Sequence, residues 1–424
     1  MTTRTSTFQA LRHRDYRLYF YSQAISLIGT WLQQAALVWL AYDLTGLSRW
    51  TGLVSMATIL PTAFLAPFSG WLADRFPKKK IVQLAQTGML LQAASLAALV
   101  WMGHATPERL VLWSLFAGMM QAIDLPTRLS YIKELTGPED LSNAVALNSM
   151  QFNLARALGP ALAAGLLAWV GPTWCFALNA LSYLAVLAGL FLMHAPGLKV
   201  KTPGGRSGIW EGVRFASSHP PVGRLLVLVA LVSLAGWPVL SLLPQLAVSR
   251  LGWHETGYGT LLSAVGLGAV LASILVARRM HAASPWAYLR AGIAVAAVGE
   301  LVLAFATHGF FGLLGSFLLG IGLILFIPTA QGVVQMATSD NLRGRVMALW
   351  TMGMSLATPL GNAVTGPLAD TLGVSVVLTG MATLMACLLA ATWLNDKKAL
   401  QNKPRAIRRP GGPCCWPDHG RRAK

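Results

Sequence analysis

Four ionisable side chains, Asp124, Arg128, Arg156 and Glu300, fall inside long stretches that are otherwise almost free of charge. A carboxylate in low dielectric can hold its proton near neutral pH, as a proton carrier requires, and a buried guanidinium needs a carboxylate, a carbonyl or a ligand as partner. The chemistry open to such groups is proton exchange and the making and breaking of ion pairs. A second concentration of charge, "GWLADRFPKKK" from Gly70 to Lys80, separates two stretches, Trp50–Ala73 and Ile81–Gly103, that hold no Asp, Glu, Lys or Arg. Bond-making chemistry is not indicated, because no nucleophile–base set, phosphate-cradling loop, anion-binding run or metal-ligand spacing appears. The chain is expected to be no enzyme and to need neither cofactor nor metal.

These residues must be carried on elements that cross a bilayer. The chain is 55% hydrophobic and 11% charged, with a mean hydropathy of +0.56, outside the range of soluble globular domains. Charge-poor segments recur at Leu18–Tyr42, Trp50–Ala73, Ile81–Gly103, Leu110–Tyr131, Ala146–Val170, Trp174–Met193, Leu225–Ser249, Gly257–Ala277, Ala287–Thr307, Phe310–Gln335, Val346–Leu368 and Val374–Leu394. Each spans the ~30 Å hydrocarbon core if helical, at about 1.5 Å per residue. None has the two-residue alternation of an outer-membrane barrel, so twelve helices are expected. The apolar run after Arg17 is longer than a signal-peptide core and is read as the first span.

Lys and Arg give the orientation. With the N-terminus inside, the five inner loops and the span ends beside them hold sixteen basic residues against three in the outer loops, Arg49, Arg109 and Arg250, which puts both termini in the cytoplasm. The net charge of +18 is then a topology signal rather than a nucleic-acid surface. Asp124 lies about 10 Å from the inner end of the fourth span, with Arg128 one turn further on, and Arg156 lies roughly 20 Å from the inner end of the fifth.

The Pro-, Gly- and Lys-containing loop Ala195–Arg224 divides the chain near its midpoint. A shift of 202 residues pairs Pro126-Thr127 with Pro328-Thr329, Ala146-Leu147 with Ala348-Leu349, Leu158-Gly159 with Leu360-Gly361 and Gly171 with Gly373. The expected organisation is a six-helix half over 1–194, a cytoplasmic linker over 195–224, a second half over 225–394 and a disordered basic tail over 395–424. Parallel repeats of this kind suit a transporter whose site lies between the halves near mid-membrane. In the tail, Cys414, Cys415 and His419 lack the four-ligand spacing of a zinc site. Cys175 and Cys387 are expected to pack as small apolar residues.

"GWLADRFPKKKIV" resembles the signature loop between helices two and three of the major facilitator superfamily. The segments "GTWLQQAALVWLAYDLTG", "EDLSNAVALNSMQFNLARALGPALAAGLL" and "RGRVMALWTMGMSLATPLG" are most similar to the branch with enterobactin exporters and macrolide-efflux proteins, and the resemblance covers Phe8 to Leu394. It implies a cytoplasmic gate of Gly70, Asp74, Arg75, Lys78, Lys79, Asp124 and Arg128, in which Asp74 and Arg75 meet Asp124 and latch the inner side when the cavity faces outward. It also matches Gly159-Pro160 to the antiporter motif of helix five, although Ala163 and Ala164 stand where glycines are usual. In the family helices one, four, seven and ten line the cavity, which nominates Trp31, Gln33, Gln34, Trp237, Gln245, Gln331 and Gln335. Arg156 and Glu300 remain as intramembrane charge or coupling candidates. A second Gly-x-Leu-Ala-Asp, in "GPLADTLG" from Gly366 to Gly373, lacks the basic cluster, falls on the outer side and is read as coincidence or packing.

Amides and indoles suit an amphipathic organic solute better than a small ion. The expected function is a proton-coupled exporter of a drug or siderophore-like metabolite by alternating access, in the inner or plasma membrane and as a monomer. The alternative is an importer or facilitator of a small organic nutrient, which an arginine pair on helices one and seven would have favoured; none is present.

Overall fold

The computed structural model describes residues 8–194, 209–279 and 284–401, and it holds no strand among them. A 3-10 turn, Gln9–Arg12, leads into α1 (Arg14–Asp43), α2 (Ser48–Arg75), α3 (Lys78–Trp101) and the 86-residue α4 (Pro107–Leu192). The second half runs α5 (Ile209–Ser218), α6 (Pro220–Gly236), α7 (Val239–Ser249), α8 (Glu255–Arg279), α9 (Pro285–Ala304), α10 (Gly309–Met336), α11 (Asp340–Leu372) and α12 (Val374–Gln401). Proline at the first turn starts α4, α6 and α9, where a missing N–H costs nothing.

Two glycines break α4 into legs 107–136, 138–170 and 172–192, which carry the predicted spans four to six. Gly137 and Gly171 adopt φ of 69° and 77°, a left-handed conformation that a side chain would strain. Gly373, the repeat partner of Gly171, does the same between α11 and α12, at φ 88°. The seventh span is α6 and α7 together, kinked at Trp237-Pro238. The stretch expected as a linker contains α5, whose Glu211 pairs with Arg345 at the start of α11. The helix α12 continues to Gln401, into the stretch expected as a tail, and the rest of that stretch, with Cys414, Cys415 and His419, lies outside the described residues.

Among the described residues nine helices are long and apolar enough to cross a membrane. The three remaining predicted spans, α2, the middle leg of α4 and α11, are helical as well. Two of these, α2 and α11, pack on each other where the halves meet. Large apolar side chains such as Trp101, Trp169, Phe191 and Phe310 stand exposed on the outside, as expected where lipid is the solvent. Cys175 is buried as expected, whereas Cys387 lies on the surface of α12.

Candidate functional site

At the basic end, where α2 gives way to α3, buried charges are paired within the first half. Asp124 and Arg128 are both buried, and Arg128 Nε lies 3.4 Å from Asp124 Oδ2, one helical turn away. Gln86 of α3 donates through Nε2 to Asp124 Oδ1 at 3.1 Å. Lys78 forms a buried ion pair with Glu134 of α4, and Lys79 Nζ donates to the Met193 carbonyl at 2.7 Å, closing the last turn of α4. Two members of the expected gate are thus held by α4 of their own half. Arg75 is exposed in the last turn of α2. The surroundings of Gly70 and the side chain of Asp74 lie outside what the structure describes, so it does not place Asp74 against Asp124.

The predicted cavity residues divide. Gln33 is buried inside the first half, where its Nε2 donates to Gln92 Oε1 at 3.0 Å and its Oε1 accepts from Asn179 Nδ2 at 2.8 Å. It bridges α1, α3 and the third leg of α4 rather than lining a cavity. Gln245 is consumed at the junction between halves, as described below. Trp31, Gln34, Trp237, Gln331 and Gln335 are half-buried, and Trp31 stands edge-on to Phe152 with ring centroids 5.8 Å apart. Gly159 passes so close to α1 that a Cβ there would lie 2.4 Å from Trp31 Cβ. The side chains of Arg156 and Pro160 lie outside the described residues. Glu300 is fully buried on α9, a helix that packs against α10 and α12, and neither carboxylate oxygen has a hydrogen-bond partner among the described residues.

The opposite, far end is where hydrogen bonds join the halves. Thr51 Oγ1 donates to the Ser241 carbonyl at 2.7 Å, and Ser241 Oγ reaches Ser55 Oγ at 3.0 Å and Asn362 Oδ1 at 2.9 Å. Ser48 Oγ donates to Gln245 Oε1 at 2.8 Å, and Gln245 Nε2 donates to the Ala369 carbonyl at 3.2 Å. Asp370 accepts the backbone N–H groups of Ser48 and Arg49, at 2.6 and 3.1 Å. Gly52 and Gly366 let the α2 and α11 backbones touch, since a Cβ at either would lie 2.5 Å from the Asn362 oxygen or 2.7 Å from the Ser48 oxygen. Beside this seam Trp39 of α1 stacks on Tyr258 of α8 at 5.8 Å and 20°. The second Gly-x-Leu-Ala-Asp is therefore not coincidence: its glycine permits the contact and its acid makes it. Sequence reasoning also missed Ser55, Ser241 and Asn362; polar groups inside apolar spans were the available signal.

The family described as "transmembrane secretion effector" matches residues 5–408 of this chain. The staphyloferrin A transporter of Staphylococcus aureus is 21% identical over 393 residues, covering 90% of this chain and 96% of the relative. The enterobactin exporter EntS of Citrobacter koseri is 24% identical over 418 residues, covering 92% and 94%. Among solved structures, the nucleoside transporter NupG superposes with a TM-score of 0.73 at 14% identity, over 90% of this chain and 99% of that one. A bacterial homologue of the human lysosomal transporter Spinster gives 0.71 at 14%, over 93% and 99%.

Proposed function

The chain belongs to the transmembrane secretion effectors of the major facilitator superfamily, and from that premise we propose that it exports a siderophore-like amphipathic organic compound in exchange for protons. The observation that carries the reading is the family match over nearly the whole chain, joined by relatives of similar length whose names are those of a siderophore transporter and enterobactin exporters. The far-end seam supports alternating access. Its contacts are hydroxyls, amides and one carboxylate at a helix end, groups that water can satisfy when the halves part.

In this reading the basic end faces the cytoplasm with both termini, in the inner or plasma membrane, and a single copy suffices. Substrate enters from that side between Trp31, Gln34, Trp237, Gln331 and Gln335. Asp74 and Arg75, positioned by Gly70 beside Lys78, Lys79 and the Asp124–Arg128 pair, close the basic end when the far end opens. Arg156 holds an anionic group of the substrate or a partner acid near mid-membrane, and Glu300 is the protonatable group. Pro160 beside Gly159 lets the middle leg of α4 bend.

The test is transport in everted vesicles. With an inward-acidic gradient, vesicles carrying the protein should accumulate a siderophore from the medium, and a protonophore should abolish the uptake. Accumulation in right-side-out vesicles instead would establish an importer.

A further inference from the structure

The first amides of α2, those of Ser48 and Arg49, find no side-chain acceptor in their own helix. The N-cap position is occupied by Leu47, whose backbone is extended (φ −122°, ψ 125°) as a capping residue's should be, but whose side chain cannot accept a hydrogen bond. The acceptors come from the other half. Asp370 in the last turn of α11 binds both amides, one with each carboxylate oxygen, and sets a negative charge at the positive end of the α2 dipole. Gly366, one turn earlier on α11, allows the approach by leaving room for the Ser48 carbonyl.

We propose that Asp370 is a clasp between the halves: it caps α2 when the far end is shut, releases it when that end opens, and so sets how long the far end stays closed. Two features make the contact breakable. The amides of Ser48 and Arg49 begin a helix at the end of the membrane span, so water can replace the carboxylate, and Asp370 is itself only half-buried. The apolar residue at position 47 matters equally. A Ser, Asp or Asn there would cap α2 within its own half and leave Asp370 nothing to hold.

Double electron–electron resonance can measure the effect without knowing the cargo. Spin labels on Trp101→Cys and Phe305→Cys, at the far ends of α3 and α9 in a chain whose four native cysteines are replaced by serine, report the separation of the halves in lipid nanodiscs. Asp370→Ala should raise the ratio of separated to closed molecules on the order of tenfold, the change that ~1.4 kcal/mol produces. Leu47→Asp added to Asp370→Ala supplies α2 with a cap in its own half. The separated population should then stay high while any lost thermal stability returns. An unchanged ratio in Asp370→Ala overturns the clasp. So does a return to the wild-type ratio in the double variant, because Asp370 would then be only a local cap. Failure of the double variant to fold also overturns it, since a contact that breaks in every cycle is not required for folding.

Discussion

The two ends of this protein use polar groups in opposite ways. At the basic end the charges are buried and paired inside one half: Lys78 with Glu134, and Asp124 with Arg128 and Gln86, all on α3 and α4. At the far end the contacts cross between halves and are mostly neutral, with Ser241 joined to Thr51, Ser55 and Asn362. The difference follows from what each contact must survive. Parting a buried ion pair leaves two unpaired charges, at about 3–5 kcal/mol, so such pairs belong within a body that moves as a unit. A neutral hydrogen bond contributes only about 0.5–1.5 kcal/mol net, because water competes for it, so a row of them can close a seam and still let it reopen. Ion pairs therefore hold a half together, while hydroxyls, amides and one carboxylate that accepts backbone N–H groups join the halves.

The sharpest way to break this contrast is to unpair the charges. Glu134→Ala strands Lys78 in a buried site and should cost roughly 3–5 kcal/mol, seen as a collapse of folded yield and melting temperature in detergent. Lys78→Met combined with Glu134→Leu should recover most of that loss, as buried pairs replaced by apolar ones do. A mild effect of Glu134→Ala would mean that the pair is solvated. Next in size is Asp74→Asn, where a latch that makes and breaks predicts about tenfold slower transport in the vesicle assay with the melting temperature unchanged. A falling melting temperature with normal transport would instead make Asp74 one more internal staple.

At the far end, Ser241→Ala removes the hydroxyl between Ser55 and Asn362 but keeps the carbonyl that Thr51 binds. A loss of about 1 kcal/mol corresponds to roughly a fivefold shift toward the separated state, readable from the same spin-label pair, with expression unaffected. If that substitution lowered stability rather than shifting the distance distribution, the seam would be part of a permanent core. The smallest effect is expected from ending the chain at Gln401. The residues beyond are basic, proline-rich and poor in apolar side chains, so transport and folding should match the full chain. A loss of transport at normal expression would assign the tail a role.

Much of the architecture was legible before any coordinates. Apolar runs of about twenty residues between charged loops located the spans, because lipid tolerates few other patterns, and the 202-residue shift found Gly171 and Gly373, which share a left-handed backbone. The charge pattern also singled out Asp124, Arg128 and Glu300 as ionisable groups inside spans, and all three are buried. What each polar residue touches was not legible. Gln33 and Gln34 are neighbours on one helix, yet Gln33 is consumed between Gln92 and Asn179 while Gln34 remains half-buried, since a rotation of about 100° separates their faces. The two Gly-x-Leu-Ala-Asp sequences read alike, and only the packing of α11 on α2 gave the second its work. A sequence states which groups must find a partner in a membrane, but the partner of Asp370 lies more than three hundred residues away, on the unsatisfied end of a helix in the other half. That choice depends on which helix ends meet at a level in the bilayer, a matter of tilt and register that no local pattern encodes.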